Sequence, residues 1–161
     1  TVTRRQRQMC IRDSSDGDGL SDPNDKCPND FGPADNEGCP NPTAEAIEEL
    51  NNLGAVVQFE LNKSNIKPEA YDILMAVYNI MSKYGNTNFL IEGHTDTSGP
   101  KSFNNKLSLD RANEVKDHLV EKGVDSNRLS TVGYGEDKPK ESNSTRKGRI
   151  ANRRVEFKVS E

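Results

Sequence analysis

Residues 89–99 read FLIEGHTDTSG, and residues 104–112 read NNKLSLDRA. An apolar run that begins with Phe89 and ends in a Gly-, Thr- and Asp-rich turn has the form of a short buried strand leaving a sheet. Behind it, Ala112, Val115 and Leu119 recur at helical spacing and Gly123 follows the last of them, so a helix returns across that sheet. Ser108 is the expected N-cap of its regular part, which would leave nearby backbone N–H groups free to hold an anion. A strand, a polar turn and a returning helix make half of an α/β layer.

Outward from this unit the periodicity continues. Thr43 is the expected N-cap of a short helix through Leu50, with Gly54 behind it. Val57, Phe59 and Leu61 then alternate as a half-buried strand. Pro68 suits a helical first turn, and Ala70, Ile73, Leu74, Val77, Ile80, Met81 and Tyr84 form an apolar stripe that stops at Gly85. Residues 129–134 make a third strand, and Val155, Phe157 and Val159 alternate in a last one. The expected fold is α/β: a two-layer sandwich in the order β-α-β-α-β plus a terminal strand, its mixed sheet carrying helices on one face.

The front of the chain differs in kind. Of its 161 residues only 31% are hydrophobic, and the mean hydropathy is −0.90. Residues 15–50 hold ten acids against the single Lys26, whereas residues 51–161 carry 17 Lys or Arg against 15 acids and are close to neutral. So acidic a stretch with few aliphatic residues has little to bury and asks for a cation. Three segments are expected: 1–14, 15–42 and a globular domain over 43–161. No basic run is long enough to suggest nucleic acid, and no apolar run approaches a membrane span, so any membrane attachment would lie in sequence preceding this chain.

Within residues 16–40, DGDGLSDPNDKCPNDFGPADNEGCP, the carboxylates of Asp16, Asp18, Asp22 and Asp25 recur around Gly17 and Gly19. Alternate acids on a Gly-bent loop can converge on calcium, a hard cation that prefers oxygen. A solvated acidic linker is the alternative reading. An EF-hand is disfavoured because its twelfth loop position, counted from Asp16, is Cys27 rather than Glu. Cys27 and Cys39, close together among turn residues, are expected to form a disulfide made in an oxidising compartment.

Three resemblances add to these readings. Residues 4–14, RRQRQMCIRDS, resemble translated sequencing adaptor and are set aside, Cys10 with them. Residues 16–28 resemble a thrombospondin type 3 repeat, in which the position of Ser14 would carry a further Asp. GHTDTSG and NNKLSLDRA, followed by GVDSNRL, GYGEDKP and NSTRKGRIANRRVEF, are similar in order and spacing to the OmpA-like peptidoglycan-binding family, over about residues 56–159. That likeness implies a periplasmic domain of a Gram-negative outer-membrane protein that binds the diaminopimelate of the peptidoglycan stem without a covalent bond. It places the principal contacts on Asp96 and Arg111, with support from Asn65, Thr95, Asn104, Leu107 and Arg153, and expects no cofactor in this domain.

The chemistry of the principal pair agrees with it. A guanidinium clamps a carboxylate in two-pronged fashion while an aspartate takes an ammonium, so together they receive a zwitterion. Arg153 and Arg154, adjacent on an extended segment, face opposite sides, and at most one can reach the site. A flagellar stator or lipoprotein would use the same domain on another anchor. A peptidoglycan-acting enzyme is the remaining class, but His94 stands without a convincing nucleophile, a G-x-S-x-G element or a zinc cluster.

Overall fold

The computed structural model describes residues 13–160, so residues 4–12 of the adaptor-like segment, with Cys10, lie outside the described residues. The chain divides into two compact units: residues 44–80 with 88–161, and residues 1–43 with 81–87.

The larger unit is built from α1 (Ala44–Val56), α2 (Tyr71–Ser82, which extends past the unit's edge), β1 (Asn88–His94), α3 (Lys101–Lys122), β2 (Leu129–Gly135), α4 (Arg146–Asn152) and β3 (Val155–Ser160). Its sheet has the order β2-β1-β3, with β1 in the centre, parallel to β2 and antiparallel to β3. This is the mixed α/β sheet that the periodicity implies. Phe89 and Ile91 on β1 and Phe157 on β3 are completely buried, as are Leu50 of α1, Leu74 and Val77 of α2, and Val115 and Leu119 of α3. These side chains form the apolar layer between sheet and helices, and their burial is the main stabilising term.

Several elements differ from expectation for identifiable reasons. The strand expected at Val57, Phe59 and Leu61 is a hairpin held by one bridge, Phe59 to Ile66, and Leu61 is 86% exposed. Alternation alone does not make a strand where no sheet edge is offered. Gly54 does not stop α1 but lies inside it, because a β-carbon there would press on the Val155 carbonyl and the Phe157 ring. It is the point of close approach between α1 and β3.

The largest correction concerns α3. It begins at Lys101 behind Pro100, so Ser108 is mid-helix and no N-cap. Ser108 Oγ donates to the Asn105 carbonyl (2.8 Å) and accepts from Gly135 N–H (2.9 Å). The helix can come this near because a β-carbon on Gly93 would collide with the Ser108 carbonyl, and one on Gly133 with the Leu109 amide. Helix and strands touch through their backbones.

In the smaller unit Cys27 and Cys39 form the expected disulfide, with Cα atoms 4.9 Å apart. Lys26 pairs with Glu37 across the closed loop, and Asn86 Nδ2 donates to Asn36 Oδ1 (3.1 Å). With so little apolar surface the bridge is the principal constraint on this segment, worth about 3 kcal/mol by loop closure. Among the described residues no helix is long and apolar enough to cross a membrane.

Candidate functional site

Asp96 follows the end of β1, where the turn has no further sheet partner and the carboxylate closes it on itself: Oδ1 accepts Ser98 N–H at 2.8 Å. The other oxygen, Oδ2, accepts from Arg153 Nη1 at 2.5 Å. Asp96 is only 4% exposed. Burial pushes its carboxyl up, but the Ser98 and Arg153 hydrogen bonds outweigh that and hold it below the ordinary aspartate range. It is an anion throughout the neutral range.

Arg111 comes from the sheet-facing side of α3. Its guanidinium lies 4.9 Å over the Phe59 ring, and its Nε donates to the Lys63 carbonyl at 3.0 Å. The hairpin of residues 57–67 thereby aims it. Burial, then the neighbouring Arg153, lowers its pKa, while Asp96 raises it. Two guanidinium groups close to one buried carboxylate leave positive charge for a second anion.

Thr95, Asp96, Asn104, Leu107, Arg111 and Arg153 line one cavity of about 570 Å³. Six of the seven residues named from sequence therefore meet; the seventh, Asn65, lines a smaller neighbouring cavity of about 260 Å³, which shares Asn62 and Leu107 with the first. Asn104 Nδ2 bonds the Asp96 carbonyl (3.3 Å) and Glu136 Oε2 (2.9 Å), which makes it a strut beneath the turn. Thr95 donates its N–H to the Gly135 carbonyl, yet its buried Oγ1 has no hydrogen-bond partner among the described residues. A buried hydroxyl left without a partner carries a desolvation cost.

Sequence reasoning missed Phe59, read as strand core, and the α4 residue Ile150, both of which line this cavity. The N-cap Thr145, whose hydroxyl accepts Gly148 N–H at 2.9 Å, was a legible signal for α4. Arg154 points away, as the opposed geometry requires, and pairs with Glu156 at 2.6 Å.

His94 is not part of this cavity. It belongs to the opposite sheet face with Glu92 and Glu156, stacks 5.6 Å from Tyr134, and is 2% exposed. Burial, reinforced by Arg154, pushes its pKa from 6.5 down to about 4. A histidine that resists protonation when folded takes protons preferentially when unfolded, so its contribution is complete above about pH 6.5 and is lost as pH falls toward 4. Urea melts of wild type should therefore lose up to about 3 kcal/mol more over that window than His94→Gln does.

The profile of the OmpA family matches residues 58–153, well over half of the chain. The chain belongs to the OmpA family. Among OmpA relatives, outer membrane porin F of Pseudomonas aeruginosa is 42% identical over 150 residues, covering 90% of this chain and 41% of the porin. Outer membrane protein Omp38 of Acinetobacter baumannii is 46% identical, covering 72% of this chain and 34% of that protein. The chain thus spans well under half the length of either.

Solved OmpA-like structures agree with the fold. The C-terminal domain of Helicobacter pylori MotB has a TM-score of 0.60 at 26% identity, covering 65% of this chain and 83% of that one. A cell wall anchor of the type VI secretion system from P. aeruginosa has a TM-score of 0.57 at 30% identity, covering 63% and 73%. A peptidoglycan-associated lipoprotein from Burkholderia pseudomallei, at 23% identity and TM-score 0.59, shares the fold, with 65% of this chain and 88% of that one covered.

Proposed function

We propose that the domain holds the peptidoglycan stem non-covalently through the free amino-acid end of meso-diaminopimelate, on the periplasmic side of an outer membrane. The observation that carries this reading is the convergence of Asp96, Arg111 and Arg153 on one cavity. The ligand's ammonium replaces Arg153 at Asp96 Oδ2. Arg153, 46% exposed along its side chain and free to swing, then joins Arg111 on the ligand's carboxylate. The domain makes and breaks no bond, and many weak attachments to one wall supply avidity.

Wall chemistry tests the specificity. Lysine-type stems keep a side-chain ammonium but lack the carboxylate beside it. Retention on lysine-type sacculi should be at least about tenfold weaker than on diaminopimelate-type sacculi, the cost of leaving the buried Arg111 guanidinium unanswered. Equal retention would remove the zwitterion from the reading, and release of labelled muropeptides would replace it with enzymatic turnover. The relatives named as a porin, as MotB, as a peptidoglycan-associated lipoprotein and as a cell wall anchor support one wall-gripping head on different membrane attachments.

A second reading concerns the acidic loop. Oxygens of Asp16, Asp18 and Asp25 lie within 4.8 Å of one another, and Oδ2 of each is buried with no hydrogen-bond partner. Ser14 Oγ, at the position where a thrombospondin repeat carries Asp, bonds Asp16 Oδ1 (3.3 Å) and Asp18 Oδ1 (3.4 Å). Asp22 is elsewhere: it takes both Ser15 N–H (2.8 Å) and Ser15 Oγ (2.7 Å). Three carboxylates and a hydroxyl suit a calcium ion, which would relieve their repulsion and order the loop. Calorimetric titration of the full chain with calcium should give a heat that Asp18→Asn abolishes and Asp22→Asn preserves. No heat at millimolar calcium favours the plain acidic linker.

A further inference from the structure

Exposed apolar side chains scattered singly on a surface need no explanation, but three from separate elements on one groove do. Val56 closes α1, Leu61 tips the hairpin and Ile150 sits on α4; they are 51%, 86% and 52% exposed. All three line the cavity that holds Asp96 and Arg111. No core needs them, and polar residues there would cost the free domain nothing. The cavity has the volume of sites that enclose drug-sized ligands, far more than one amino-acid head fills. Its polar residues account for a zwitterion. Its apolar side has no ligand in that account.

We infer that Val56, Leu61 and Ile150 form a second subsite, which takes the methyl side chain of the alanine next to diaminopimelate in the peptide stem. This rests on the diaminopimelate reading of Asp96 and Arg111. The occupant follows from charge and size: whatever enters must continue covalently from a zwitterionic head, and must present a small apolar group to a half-exposed aliphatic wall. Of the two residues joined to diaminopimelate in the stem, alanine has a methyl as its pendant group, whereas the pendant group of the γ-linked glutamyl residue is its α-carboxylate. The ionic pocket then fixes the head and the aliphatic rim reads whether a peptide continues from it. The domain so distinguishes wall stems from free diaminopimelate.

Two probes separate the sites: free meso-diaminopimelate, and the synthetic tetrapeptide L-Ala-γ-D-Glu-meso-diaminopimelyl-D-Ala. Each is titrated by NMR into the full chain and into Leu61→Ser and Ile150→Ser, whose exposed positions leave the fold and its melting temperature unchanged. Wild type should bind the tetrapeptide roughly threefold to tenfold more tightly than the free amino acid, the range expected for burying one or two methyl groups. The double variant should lose that increment and keep its affinity for free diaminopimelate. Undiminished tetrapeptide binding by the double variant overturns the subsite while leaving the ionic pocket intact. Failure of wild type to bind either probe overturns both, and Asp96→Ala identifies that case by changing nothing.

Discussion

Asp96→Ala and Arg111→Ala, each in the intact chain, should lose retention on purified diaminopimelate-type sacculi by at least about tenfold, the usual cost of truncating one partner of a buried charge pair. The two losses arise differently. Removing Asp96 deletes the ammonium acceptor and leaves the half-exposed Arg153 to water, so the fold survives. Removing Arg111 takes away the carboxylate fork, its stack on Phe59 and its tie to the Lys63 carbonyl, which also loosens the hairpin. Arg111→Lys separates these roles: it restores charge without the two-pronged geometry, and should recover only part of the binding. Retention that survives both alanine variants would take the site assignment away.

A large loss of stability is expected from Gly93→Ala. A β-carbon there would overlap the Ser108 carbonyl, and the obstacle is helix backbone, which has no rotamer to adopt. Overpacking of this kind costs about 1–3 kcal/mol, and with backbone as the obstacle the upper end is expected, measurable as a fall in the urea midpoint. Gly133→Ala, pressing on the adjacent Leu109 amide, should cost a similar amount. The double variant should cost less than the sum, since once α3 has lifted both methyl groups fit. Gly85→Ala, whose added carbon meets only Cys27 Sγ at 3.4 Å, is the control and should stay within about 0.5 kcal/mol.

What could be read in advance follows from where burial is apolar. The stripe at Ala112, Val115 and Leu119 located the second half of α3 because those residues face hydrophobic neighbours. The first half escaped because its buried residues, Leu107 apart, are Asn104, Ser108 and Arg111, polar groups that face a cavity and glycine-floored strands. Apolar periodicity cannot register an inward face that is polar by function. The same cause produced the misplaced N-cap at Ser108. α4 escaped because RKGRIAN carries no apolar stripe, and the strand expected at residues 57–61 failed because its partner is its own hairpin.

For the site, residue types were legible and pairings were not. Asp96 and Arg111 stand out as a motif within one strand-turn-helix passage. That Arg153, 57 positions from Asp96, occupies its carboxylate in the ligand-free domain depends on β3 returning beside β1. Contact across such a separation is a property of topology.

The backbone contact of α3 with β1 and β2 also limits how this domain can change. Where main chain rests on main chain there is no side chain to trim or enlarge, so the spacing between the end of β1 and the α3 backbone that carries Arg111 is a constant of the fold, like the jaw of a fixed spanner. Descendants facing a different wall polymer cannot regauge it by gradual substitution. Their freedom lies in the hairpin of residues 57–67, held by one bridge and turned through Asn62 at a φ of 56°. New specificity should accumulate there first, as insertions and exchanges, while the gauge itself is inherited unchanged.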